Sequence, residues 1–145
     1  MAFRFSLAAV LNLRQNIERQ EYLNLERIQQ EIAKVQNQLT EAAQQKSDLQ
    51  QSRDSQLVES MPSVLLQSLY EQVFAIEKHM ESLKALLVEL AAKKDQQMKV
   101  YTQARQKREV LESLREKQHG AYVLEENKRQ QTLMDDLFLA RLKRK

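Results

Sequence analysis

The chain has 145 residues and no cysteine, one glycine and one proline. An average soluble domain of this length would carry about ten glycines and seven prolines. Those two residues supply most tight turns, so a chain nearly without them has few places to reverse direction. The missing cysteines exclude a disulfide framework and thiol chemistry, which suits a reducing cytoplasm. There is no tryptophan, and only four tyrosines and four phenylalanines, too few to fill a thick globular core. Long apolar runs are also missing. The longest, Ala85 to Leu90, is already interrupted by Glu89, far short of the ~20 residues that span a bilayer. The opening residues Met1 to Leu11 superficially resemble a signal peptide. Asn12 and Arg14 interrupt the run, however, and no small-residue cleavage site follows.

What fills the chain is Ala, Leu, Gln, Glu, Lys and Arg, all good helix formers. Apolar residues make up 42% of positions, spaced as a narrow seam between wide charged faces. The expected fold is all-α: two long helices in an antiparallel coiled-coil hairpin, the second overhanging the first. One domain covers 1–145, with helix one over about 3–55, a hairpin over about 56–61, and helix two over about 62–143. Pro62 suits a first helical turn, where its missing N–H would have no partner anyway.

The seam of helix one reads Leu25, Ile28, Ile32, Val35, Leu39, Ala42 and Leu49, in steps of three and four. Lys46 takes one seam position and should weaken packing there. Upstream, Val10, Leu13 and Ile17 read as a second segment. The eleven residues from Ile17 to Ile28 then predict a change of supercoil pitch near Arg19 to Asn24. Helix two carries Leu66, Leu69, Val73, Ile76, Met80, Leu83, Leu87 and Leu90 without a fault. The seam loosens through Lys94, Gln97, Tyr101, Ala104 and Arg108, then recovers at Leu111 and Leu114. Ala121, Leu124, Leu133, Leu137 and Ala140 follow. An apex near residue 58 places residue i opposite roughly 117 − i, so Val35 faces Leu83 and Leu39 faces Met80. Residues after about Lys117 then lack a partner on helix one. At ~1.5 Å per residue, about 40 Å of helix would project alone. Gly120 at its base is a soft joint or a tolerated surface glycine, since glycine inside a helix costs ~1 kcal/mol against alanine.

Catalytic chemistry finds no foothold. His79 and His119 lack partners at helical spacing that would make a metal face, and read as helix-surface residues. There is no phosphate-cradling glycine loop and no nucleophile with a base. Glu125-Glu126 and Asp135-Asp136 are adjacent pairs, which diverge on a helix rather than converge. Neither an enzyme, a metal nor a cofactor is expected. Net charge is +3. The basic stretch Arg105, Lys107, Arg108, Arg115 and Lys117 is interleaved with Glu109, Glu112 and Glu116, and no aromatic platform accompanies it. Nucleic acid is therefore a poor partner. The tail Arg141, Lys143, Arg144 and Lys145 offers cations to an acidic surface, or simply suits the negative end of the helix.

Two stretches carry a resemblance. One is Phe3-Arg4-Phe5-Ser6-Leu7-Ala8-Ala9-Val10-Leu11-Asn12-Leu13-Arg14. The other runs from Lys107 through Leu111, Leu114 and Lys117 to Tyr122, Glu125–Gln131 and Met134-Asp135-Asp136. Together with the length and two-helix layout, they resemble the FliJ family of the flagellar type III export apparatus. The resemblance implies a non-enzymatic stalk that enters the hexameric export ATPase (FliI-like), helps it assemble and links it to the export gate (FlhA-like). It also implies an escort role toward export chaperones, and a cytoplasmic location at the inner membrane. Ring-binding residues by this resemblance are Phe3, Phe5, Arg14, Leu111, Arg115, Arg129, Arg141, Lys143 and Arg144. The gate-binding residues it implies are Gln38, Tyr70, Val73, Ile76 and Glu77, although Val73 and Ile76 also belong to the seam. The alternatives are an injectisome stalk of the same layout and a passive coiled-coil spacer.

Overall fold

Strong helix formers at nearly every position, and almost no breakers, leave the chain little choice but helix. The computed structural model describes residues 2–57 and 62–144. It contains α1, Ala8–Leu57, and α2, Ser63–Lys143, as an antiparallel helical hairpin. There is no strand among the described residues. Of the turn expected over 56–61, Gln56 and Leu57 still belong to α1, and positions 58–61 lie outside the described residues. Pro62 opens α2. Its carbonyl accepts from Leu65 N–H at 3.1 Å and Leu66 N–H at 3.2 Å, and the ring leaves no amide of its own unpaired. Arg141 and Lys143 place cations in the last turn of α2, where the helix dipole is negative. Two compact units result: Tyr22–Val100, and Met1–Glu21 with Tyr101–Lys145.

The unit Tyr22–Val100 holds the apolar seam. Leu25, Val35 and Ala42 of α1 and Val73, Leu83 and Leu90 of α2 are buried. Val35, Leu83 and Leu90 form the central cluster, with Ile32, Leu39 and Leu87 packed against it. All eight seam positions expected from Leu66 to Leu90 are buried or half-buried. A fully buried aliphatic side chain contributes about 1.5–3 kcal/mol; this seam is narrow, and many of its members keep part of their surface in water. Lys46, the polar intruder, is half-buried and reaches Glu77 with Nζ 3.2 Å from Oε1.

Cross-helix pairs fix the register. In this unit Lys46 meets Glu77, and Arg53 lies over the Tyr70 ring. By both pairs, residue i in this unit faces about 123 − i, not the 117 − i expected. The difference is close to one heptad. An apolar seam repeats every seven residues, so matching leucines to leucines fits both registers almost equally. Charge pairs do not repeat, and they decide between the two.

The second unit corrects three further expectations. First, α1 begins at Ala8 rather than Phe3. Residues 3–7 form a short arm whose Phe5 carbonyl accepts Ala8 N–H at 3.1 Å, while Leu7 accepts Leu11 N–H at 2.9 Å. Side chains two apart on a helix point about 200° apart, so a helical Phe3 and Phe5 could not both reach α2. Outside the helix, Phe5 is buried and Phe3 half-buried. That burial outweighs the small gain from one further helical turn. Second, Val10 and Leu13 are exposed, and Leu11 is the buried residue instead. The covered positions include Leu11, Arg14, Glu18, Glu21 and Leu25, with Ile17 and Asn24 half-buried beside them. Leu11, Glu18 and Leu25 are heptad steps, so a regular seam runs through this stretch beside the half-buried Ile17 and Ile28. Third, α2 is covered beyond Lys117. Phe3 sits against His119 and Tyr122, and Glu126 is still half-buried. Uninterrupted exposure starts at Asn127.

Candidate functional site

A helix whose apolar residues find no partner inside the chain presents them to something else. Residues 127–143 of α2, and Arg144 after them, are all exposed. They display Leu133, Met134, Leu137, Phe138, Leu139 and Leu142, each more than half exposed. Successive apolar residues at 133, 134, 137 and 138 fall on one side of the helix at 3.6 residues per turn. The basic residues Arg129, Arg141, Lys143 and Arg144 accompany them, all exposed. Four of the nine expected ring-binding residues thus lie on this free segment.

The other five are placed differently. Phe5 is 8% exposed, so its ring belongs to the packing of the arm. Phe5, Ala8 and Leu11 line a hollow with Arg4, Asn12 and the Arg115 side chain of α2. Phe3 is half-buried, its ring centre 5.0 Å from that of His119 in an edge-on arrangement and 5.5 Å from that of Tyr122. Arg14 and Leu111 are half-buried seam residues, while Arg115 is exposed. His119 is therefore a surface histidine that also serves as a platform for the arm.

Beside the arm, the seam itself is ionic. Arg108 occupies a seam position and donates through Nε and Nη2 to the two carboxylate oxygens of Glu18, the second at 3.3 Å. Its Nη1 donates to Glu112 Oε2 at 2.6 Å, one turn along α2. The hydrogen bond to Glu18 raises the Arg108 guanidinium above its ordinary value, with the charges of Glu18 and Glu112 adding and burial opposing. A bidentate fork of this kind holds orientation as well as charge. Among the described residues no buried side-chain polar atom lacks a partner. Sequence reading placed Arg108 where the seam loosens and missed its cross-helix partner. The available signal was Glu18, which falls on the heptad step between Leu11 and Leu25.

In the unit Tyr22–Val100 the expected gate-binding residues separate. Val73 is buried and Ile76 half-buried, as seam residues should be. Gln38 is exposed, and Tyr70 is half exposed. Glu77 is half-buried and paired with Lys46. Tyr70, Val73 and Glu77 line one open groove with Gln50, Arg53 and Phe74. Three of these, Gln50, Arg53 and Phe74, were not anticipated. The Arg53 guanidinium stands 5.2 Å from the Tyr70 ring centre, and Lys78 stands 4.7 Å from that of Phe74. Both are cation–π distances. Phe74 could have been found from its off-seam position four residues before a lysine.

The described residues thus form a hairpin of two helices with a docked N-terminal arm, an open aromatic groove and an exposed apolar C-terminal segment. The family profile described as "Flagellar FliJ protein" matches residues 3–145, and the chain belongs to the FliJ family, a component of flagellar export. No curated protein and no solved structure gives a significant match. No helix among the described residues is long and apolar enough to cross a membrane.

Proposed function

We propose that this chain, taken as one coiled-coil domain over 1–145, is the non-enzymatic central stalk of a flagellar export ATPase. Its C-terminal segment enters the hexameric, FliI-like ring. The hairpin links that ring to an FlhA-like export gate and offers its charged faces to export chaperones. It works on the cytoplasmic side, peripherally at the inner membrane. The observation that carries the reading is the exposure of Leu133, Met134, Leu137, Phe138, Leu139 and Leu142 on a helical segment that no described residue covers, with Arg141, Lys143 and Arg144 at its end. Apolar surface of this kind is what a partner buries, and its basic end favours an acidic lining. Arg129, Arg141, Lys143 and Arg144 are the ring-binding residues on this segment. Phe3, Phe5, Arg14, Leu111 and Arg115 support its base. Gate binding falls to the groove around Tyr70 and Glu77, with Gln38 on α1 and with Val73 and Ile76 as the packing beneath.

The test is reconstitution with the export ATPase of the same system. The full chain should increase hexamer formation and ATP hydrolysis. A chain ending at Glu126 keeps every covered residue of α2 and should remain helical, yet lose the stimulation. Full stimulation by the shortened chain would overturn the insertion of this segment. Indifference of the ATPase to the intact chain, together with stable self-association in light scattering, would favour a passive spacer.

A further inference from the structure

The only glycine of the chain lies inside α2, and nothing near it demands a glycine. A Cβ built on Gly120 would meet no atom within 4 Å. A glycine in open space within a helix weakens that helix, because the unfolded backbone has more freedom to lose. The weak point falls seven residues before the exposed segment that starts at Asn127.

The N-terminal arm contacts α2 at this point. The Phe3 ring touches His119, one residue before Gly120, and Tyr122, two residues after it. Phe5, buried below, anchors the arm against α1 and beside Arg115. One aromatic side chain therefore bridges the glycine from both sides, and it comes from the opposite end of the sequence. We propose that the N-terminal arm is a splint for Gly120. Docked, Phe3 holds the helix straight through the glycine. Undocked, it leaves α2 free to bend or fray there.

This role differs from simple packing in a way that can be read out. If Phe3 only adds stability, replacing Gly120 will not specifically repair its loss. If Phe3 splints the glycine, an alanine at 120 makes the splint unnecessary. The absence of cysteine allows clean spin labelling of the full chain. Ser113 and Gln130 are exposed and flank the site; their separation of 17 residues corresponds to about 26 Å in a straight helix. Labels at S113C and Q130C should give a narrow distance distribution. The distribution should broaden in Phe3→Ala and become narrow again in Phe3→Ala/Gly120→Ala. Amide exchange of residues 117–124 should rise roughly threefold to tenfold in Phe3→Ala, the range set by an aromatic contact of this type, and return toward the original rate in the double variant. Unchanged width and exchange in Phe3→Ala would overturn the proposal. So would broadening that Gly120→Ala leaves unrepaired, since the arm would then act elsewhere. Circular dichroism of each variant separates local bending from loss of the helix.

Discussion

Removing the Arg108 side chain tests whether ionic seam positions hold the hairpin together or merely occupy it. In Arg108→Ala, Glu18 would lose both guanidinium bonds while its side chain stays mostly covered; the exposures are 21% for Arg108 and 17% for Glu18. Hydrogen bonds to charged groups contribute about 1.5–3 kcal/mol net. The helical pair with Glu112 adds about 0.3–0.5 kcal/mol. Water reaching the exposed fifth of the pair and relaxation of Glu18 reduce the sum. A loss of about 2 kcal/mol is expected, or roughly 4–8 °C in Tm for a chain of this size. Urea unfolding followed by helical circular dichroism measures it, with Lys107→Ala, an exposed neighbour, as the control at under about 0.5 kcal/mol. The cycle with Glu18→Ala should return a coupling of about 1–2 kcal/mol. The raised guanidinium contributes stability that is complete below its ordinary value and lost only as pH climbs through the still higher folded one. The coupling should therefore be flat between about pH 7 and pH 10. Replacing both partners by leucine should cost little or add stability, because it extends the apolar heptads. A coupling below about 0.3 kcal/mol, or a loss in Arg108→Ala no larger than in Lys107→Ala, would refute the reasoning.

Phe5→Ala should destabilise the unit Met1–Glu21 with Tyr101–Lys145 by about 3 kcal/mol and speed amide exchange over residues 8–14, measured by mass spectrometry. Gly120→Ala, with open space for its methyl group, should stabilise the full chain by about 0.5–1 kcal/mol in urea unfolding. Lys46→Leu exchanges one partly exposed ion pair for a seam leucine, and its urea midpoint should rise by the equivalent of about 1 kcal/mol. Leu133→Ser with Phe138→Ser should leave Tm within about 1 °C, because both residues are exposed, while abolishing stimulation of the export ATPase in a phosphate-release assay.

How much of this was legible depends on which physics repeats. The seam from Leu66 to Leu90 was readable because apolar side chains at heptad spacing have only one face to share. The polar seam positions Arg14, Glu18 and Glu21 of α1 were not, because a count of apolar residues passes over them and takes in the exposed Val10 and Leu13. Register was hidden by the repeat itself, and Lys46–Glu77 and Arg108–Glu18 reveal it only once side chains are placed. The arm was hidden for the opposite reason. Residues 3–7 look like the start of a helix, and only contacts with residues more than a hundred positions away explain why they are not. In the candidate gate groove, exposed Tyr70 and buried Val73 followed from their offset to the seam. Arg53 was invisible because its partner lies on the other helix.

That arm also sets an order in time. Phe3 leaves the ribosome 116 residues ahead of His119, and at about 5–20 residues per second it waits roughly 6–23 s for its platform to be synthesised. The middle of the hairpin can zip during that interval, since its partners are near neighbours along the chain. The arm is thus made early relative to its platform and docks late, and its two phenylalanines stay in solvent until His119 has been synthesised. A nascent chain stalled before His119 should still expose them, whereas a completed chain should conceal Phe5 and half-conceal Phe3. Seating of the arm then reports that α2 has been made through Tyr122.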